Sequence, residues 1–542
     1  MPENHAESMP AIAMAGICKI FGNVRANQDI WFTVRSGEIH ALLGENGSGK
    51  STLMNILSGI YQPDAGSITI HGKQVRFQSP RDSIAVGIGM IHQHFKLVEN
   101  LTAMENILAG TGRGLLLDRA RAERKICEYA DRFGMEMDPG KQISQMSVSE
   151  KQAVEIMKVL YRGSEILVLD EPTAVLTPQE IRHLFKILRR MRDEGHAIIF
   201  ISHKLNEVLD LCDRVTVLRR GCTVGTEPIN NVTANHLIEL MVGHKVDLSI
   251  DRPPVVSEGT CLTVNDLTVH DPEGLTKLDK VAFDLRHGEI LGVAGLAGSG
   301  QKELCESIAG LVPDVHGSIQ FQGVEIIGKS PRDIIRLGIS MSFIPEDRLG
   351  MGLVASMDIA DNIMLKDYAF HKGIFLDRKT AREKARLIIR QLSIHTPGIF
   401  HTVRKLSGGN IQKVILGREI NLNPRLLITA YAVRGLDIHS SYTIYHLINE
   451  QKQKGVAVLY IGEDLDVLLE LCDRILVLCG GRVTGLVDGR KATKEQIGLM
   501  MAGETVNSSE TVSLSETVNS SETVNQGGTV SLSGGDETNG QS

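Results

Sequence analysis

Long apolar runs are missing from this 542-residue chain. Its longest, such as Ala197 to Ser202, are strand-sized, far short of what a bilayer span demands. Paired cysteines are missing too: eight cysteines occur with no CxxC spacing, which fits reduced thiols and excludes a zinc ribbon or disulfide framework. Positive charge is not in excess. A formal net charge of −7 speaks against a nucleic-acid partner, which needs a concentrated basic face. The first ten residues lack a basic segment followed by an apolar one, so a cytoplasmic protein is expected. Aromatics are few, at 4%, while 42% of residues are apolar and 23% charged, the balance of a globular α/β protein. The length points to at least two domains.

What is present is a repeat the size of a domain. Ser36 to Ser51, SGEIHALLGENGSGKS, matches His287 to Lys302, HGEILGVAGLAGSGQK. Met146 to Leu160 matches Leu406 to Ile420, and Leu211 to Leu218 matches Leu471 to Leu478. The copies lie 251 residues apart at the first pair and 260 at the last, so order and spacing are kept. Between them Asp251 to Gly259 carries paired prolines, which resist helix and sheet and mark a linker. The domains are therefore expected at 1–250 and 260–504, joined by 251–259. Residues 505–542, a Ser/Thr/Asn/Glu/Val near-repeat with five carboxylates and no Lys or Arg, are expected to form a disordered tail. Within each copy, short β-branched runs alternate with longer helical patterns, the pattern of a mainly parallel sheet flanked by helices.

Gly44, Glu45, Asn46, Gly47, Ser48, Gly49, Lys50, Ser51 and then Thr52 form a complete phosphate-binding loop between the strand IHALL and a helix. Its glycines let backbone N–H groups curl around phosphates at a helix N-terminus. Lys50 would reach the β- and γ-phosphates of ATP, and the Ser51 hydroxyl would ligate Mg²⁺. Ile166 to Thr173, ILVLDEPT, is an apolar strand ending in two carboxylates. Asp170 would hold the Mg²⁺ shell, and Glu171 would orient and deprotonate the attacking water.

The chain resembles the ATP-binding subunit of ABC transporters, and more narrowly the fused tandem subunit of importers for simple sugars and nucleosides, over about residues 11–504. The most specific element is LSGGN followed by IQK at Leu406 to Lys413. The resemblance implies an α/β fold of two fused P-loop nucleotide-binding domains, each with a helical subdomain. It implies that Phe21 stacks on adenine, that Gln93 approaches the metal and couples the nucleotide to the permease, and that His203 contacts the γ-phosphate. It also implies a head-to-tail pairing in which the Lys50 loop of one half faces Ser407, Gly408, Gly409 and Asn410 of the other.

By that pairing the second site has lost its parts together. Gln301 stands at the Lys50 position, Lys302 at that of Ser51, Ala430 and Tyr431 at those of Asp170 and Glu171, and Glu463 at that of His203. No Phe or Tyr lies between Leu262 and Ala282 to stack on adenine, and Ser149 replaces a signature glycine. FIPEDR, Phe343 to Arg348, places Glu346 at the Gln93 position. The expectation is one hydrolysing site in two, in the ATPase of an importer.

Its partners would be two membrane permease subunits and an extracytoplasmic solute-binding protein, with the ATPase held at the cytoplasmic face of the membrane by the permease alone. The solute would be a nucleoside or nucleoside-like vitamin such as riboflavin, on the strength of His92 to Thr102, and otherwise a simple sugar. Two readings compete: a tandem ATPase acting on nucleic acid, opposed by the nine-residue linker and the ruined second site, and a non-hydrolysing scaffold, opposed by the complete first site.

Overall fold

A computed structural model describes residues 9–22, 24–92, 95–111, 118–174, 176–202, 204–244, 248–255, 259–343, 352–367, 376–434 and 436–504. The expected tail, and Gln93, His203 and Glu346, lie outside these residues.

Each half builds a six-stranded sheet in the same order. In the first half the strands run Ile88–Ile91, Ile166–Asp170, Ala197–Ile201, Ile39–Leu43, Arg214–Arg219 and Cys222–Pro228. In the second they run Ile339–Phe343, Leu426–Ala430, Ala457–Ile461, Ile290–Ala294, Arg474–Cys479 and Arg482–Asp488. All neighbours are parallel except the last pair of each sheet. Ile39–Leu43 and Ala197–Ile201 are buried at every position, because helix residues such as Leu184 and Leu188 cover one face and the helix Lys50–Leu57, with Ile30 and Phe32 of a second sheet, covers the other. Such strands read as continuous apolar runs, and for that reason they stood out in the sequence.

A second sheet in each half was not expected. Val24–Val34, Ile12–Phe21, Ala65–Ile70 and Lys73–Val75 form an antiparallel sheet, matched by Thr276–Arg286, Thr260–His270, Val315–Phe321 and Val324–Glu325. Register shifts interrupt Ile12–Phe21 between Met14 and Ile20. Those bulges break the strict alternation by which a half-buried strand declares itself.

Among the described residues, three helices per half make the separate helical layer: Ala103–Leu108, Arg119–Phe133 and Val148–Tyr161, then Ile359–Asp367, Arg378–Gln391 and Gly408–Ile420. The halves touch. Arg182 pairs with Glu495 at 3.2 Å, Asn206 donates to Asp466 at 3.2 Å, and Ile438 packs against the first half's core. The start of the linker lies on the second half, where the Asp251 carbonyl accepts from Asn449 and Arg252 donates to the carbonyls of Leu469 and Glu470. No helix among the described residues is long and apolar enough to cross a membrane.

Candidate functional site

Parallel pairing sets Leu42 beside Ile201 and Ile201 beside Asp170, so the carboxyl ends of three strands share one rim. That rim is where open α/β sheets bind ligands. The loop from Gly44 begins there and turns into the helix Lys50–Leu57 at Gly49, whose φ is 103°. A Cβ at Gly49 would lie 2.4 Å from the Ala26 carbonyl oxygen, and one at Gly44 would lie 2.3 Å from that of Leu218, so neither position accepts a side chain. The helix has no side-chain cap and no acid in its first turn, which leaves its N–H groups and positive end facing the loop.

Lys50 Nζ donates to the carbonyls of Gly44 at 2.6 Å and Glu45 at 3.0 Å, which hold the ammonium across the loop. Burial lowers its pKa from the ordinary lysine value, while the charges of Glu171, Asp170 and Glu45 oppose that fall. Burial raises the Asp170 carboxyl, and the Glu171 carboxylate adds to the rise; His92 and Lys50 pull the other way. Ser48 Oγ is buried and meets no hydrogen-bond partner among the described residues. A glycine cradle, an unsatisfied buried hydroxyl, a cation and an oxygen donor converge, and this donor set fits a phosphate chain with a hard divalent cation. Ser51 is exposed and Thr52 half-buried in the first turn of the helix. Phe21 is exposed at the end of its strand, edge-on to Tyr61 with ring centroids 5.2 Å apart.

The second half repeats this frame with other chemistry. Gln301 Nε2 donates to the Leu296 carbonyl at 3.1 Å, bridging the loop as Lys50 does but without charge. Lys302 points outward, 3.8 Å from Glu306. The helix Gln301–Ile308 carries Glu303 in its first turn, where it opposes a bound anion. Tyr431 has its hydroxyl pushed up to about 12 by burial, and Glu463 lies 3.6 Å from Arg434.

The two signatures differ in how they spend their serine. Ser147 caps its own helix in a reciprocal box with Glu150, and its Oγ lies 3.1 Å from Ser149 Oγ. Ser407 stands at the same N-terminus without a capping bond and accepts from Asn410 Nδ2 at 2.8 Å, so its O–H can donate elsewhere. A Cβ at Gly409 would lie 3.1 Å from Leu436 and 3.9 Å from Asp437 Oδ2. Asp437 in turn raises the pKa of Glu45, second to burial. The charge of Asp437, beside the second half's signature, thus reaches the first half's loop.

The profile of the ABC transporter family, described as ABC transporter, matches residues 27–174 and 278–429. The chain belongs to the ABC transporter family. This ABC protein is an ATPase subunit of the kind that hydrolyses ATP to drive transport. It is 41% identical over 501 residues to the nucleoside import ATP-binding protein NupA of Lactococcus lactis, covering 92% of this chain and 99% of that one. It is 41% identical over 508 residues to the guanosine import ATP-binding protein NupO of Bacillus subtilis, covering 91% and 98%. The glucose import ATP-binding protein TsgD13 of Haloferax volcanii is 40% identical over 531 residues, covering 91% and 96%.

Three residues of this ABC protein's site were not singled out from sequence: His92 beside Asp170, Tyr61 against Phe21, and Asp437 beside Glu45. His92 adjoins Gln93 in IHQHF, which is a signal of position only. Asp437 ends the loop after the second half's apolar strand, and nothing in its local sequence points across to the other half.

Proposed function

We propose that this ABC protein, as two domains at 1–250 and 260–504 joined by 251–259, energises import of a small polar solute with ATP hydrolysed at one site. The observation that carries the reading is the concerted difference between the halves: Lys50, Asp170 and Glu171 on one rim, Gln301, Ala430 and Tyr431 on the other. Lys50 and the N–H groups from Gly44 to Thr52 bind the phosphates, and Phe21 takes the adenine. Mg²⁺ neutralises the phosphate oxygens when bound, and Ser51, Asp170 and Gln93 would hold it. Glu171 orients the water and accepts its proton, and His203 contacts the γ-phosphate. Ser407 and the Gly408, Gly409 and Asn410 backbone close the site from the second half. Donors and cations placed in advance supply most of the catalysis in phosphoryl transfer.

Two permease subunits and an extracytoplasmic solute-binding protein complete the assembly, with this chain at the cytoplasmic face. A nucleoside, or a nucleoside-like vitamin such as riboflavin, is the favoured solute. The stretch His92 to Thr102 and the two nucleoside-importing relatives favour that class; the glucose-importing relative keeps sugars as the second. Reconstitution with the permease and the binding protein tests the reading. Stimulation of ATP turnover by guanosine or another nucleoside, and not by glucose, supports it; stimulation by nucleic acid alone would overturn it.

A further inference from the structure

His270, Asp314 and His316 bring one ligand atom each to within 4.8 Å of one another. His316 Nε2 lies 3.0 Å from Asp314 Oδ1, and His270 Nδ1 lies 3.7 Å from Asp314 Oδ2. We propose that these three side chains bind a divalent transition-metal ion, with Zn²⁺ as the best fit, at the hairpin end of the second half's antiparallel sheet.

The register of the sheet makes the site. Thr268 pairs with His316 and Val269 with Val315, so one step further along His270 faces Asp314. Alternation then puts His270, Asp314 and His316 on a single face. The backbone beneath them is held: His270 also pairs with Thr276, and the Asp271 carboxylate accepts from the N–H groups of Glu273 and Leu275 at 3.0 and 2.8 Å.

The first half shows what changed. There Cys18 pairs with Ala65, and one step further Lys19 donates to Asp64 at 2.9 Å, an ordinary ion pair. Lys19 pairs with Asn27 and Val269 with Leu278, and Asn27 and Leu278 each lie against the last glycine of their loop, so Val269 takes the place of Lys19 and His270 that of Ile20, adding an imidazole with a lone pair. His316 takes the place of Ala65, since Cys18 pairs with Ala65 and its counterpart Thr268 with His316. Gly66 and Gly317 are equivalent, each with a φ near 100° and no room for a Cβ against the carbonyls of the neighbouring strand. One residue, Ala65, separates Asp64 from Gly66, whereas Val315 and His316 separate Asp314 from Gly317.

Two imidazole nitrogens and one carboxylate oxygen suit Zn²⁺ and its neighbours, not Mg²⁺ or Ca²⁺. Tetrahedral Zn²⁺ with bonds of about 2.0–2.1 Å separates its donors by about 3.3 Å, between the two distances observed. The side chains are at least partly exposed, so small rotations complete the geometry and water takes the remaining position. The site is distant in kind from the ATP site, since it uses no phosphate-loop residue.

Titration of the full, untagged chain with Zn²⁺, without nucleotide, tests this by calorimetry, with Co²⁺ absorption as a second readout. The expected result is one tight Zn²⁺ per chain and a Zn²⁺-dependent rise in Tm. His270→Ile and His316→Ala each place the first half's residue at the position and remove one imidazole donor. Each should lower Zn²⁺ affinity by more than the roughly 10–100-fold that loss of an outer partner costs. Absence of stoichiometric Zn²⁺ binding, or binding unchanged in both variants, overturns the proposal.

Discussion

Glu171 and Tyr431 hold the same backbone conformation. Their φ angles are 48° and 56°, and each N–H donates at 2.9 Å to the last residue of the neighbouring strand, Ile201 and Ile461. A left-handed turn costs a non-glycine residue about 1–2 kcal/mol, so both halves carry the strain while only one carries a carboxylate there. Glu171→Gly should relieve that strain, leaving Tm unchanged or raised by a few degrees for about 1 kcal/mol, while ATP turnover is lost. Differential scanning calorimetry and a phosphate-release assay check the two halves of the statement.

The catalytic asymmetry is tested in the same way. Lys50→Ala and Glu171→Gln should each lower ATP turnover by about 10² or more, whereas Gln301→Ala and Tyr431→Phe should leave it within about twofold. Comparable losses in both sets would contradict a single hydrolysing site.

Signature serines should separate by role. Ser407→Ala should lower turnover in the ATPase assay without lowering Tm, because Ser407 caps no helix. Ser147→Ala removes a reciprocal cap and should cost about 1 kcal/mol of stability with turnover kept.

The buried charges of the first site predict a pH dependence. Lys50 has a folded-state pKa below its ordinary value, so keeping it charged costs stability, and the cost is lifted as pH rises through the folded pKa towards that value. The Asp170 carboxyl is raised instead; its cost is present above the folded pKa and disappears as pH falls towards the ordinary carboxylate value. Asp170→Asn should therefore raise Tm at pH 7, with the gain shrinking in melts taken towards pH 4, and should abolish turnover at every pH.

Glu419 is fully buried, paired with Lys366 at 2.7 Å and Arg418 at 2.9 Å, and accepts from Ser340 Oγ at 2.5 Å. Lys366 and Arg418 hold its carboxyl below the usual range against the effect of burial. Glu419→Leu strands two cations in the interior and should cost about 3–5 kcal/mol in urea unfolding.

Much of the candidate site could be proposed from the sequence because its parts are local. A phosphate loop must place glycines and a lysine within eight residues, and a parallel strand buried on both faces must be apolar until it ends, so Asp170 and Glu171 announce themselves. The antiparallel sheets were not legible, since bulges near Met14 and Val264 shift their period. Nor was the neighbourhood of Tyr61, which packs on Phe21, or of His92 and Asp437, whose charges act on Asp170 and Glu45 from other elements.

The sequence by itself determined that there are two copies of one domain and that only the first carries the Lys50, Asp170 and Glu171 set proposed to cleave phosphate, because those residues follow one another in motifs along the chain. Only the tertiary structure decided which groups meet across chain distance. Asp437, beside Gly409 in the second half, acts by its charge on Glu45 of the first, and His270, Asp314 and His316 meet through strand register. Neither contact leaves a period or a spacing for a linear reading to find, because each is set by packing between segments that are far apart in the chain.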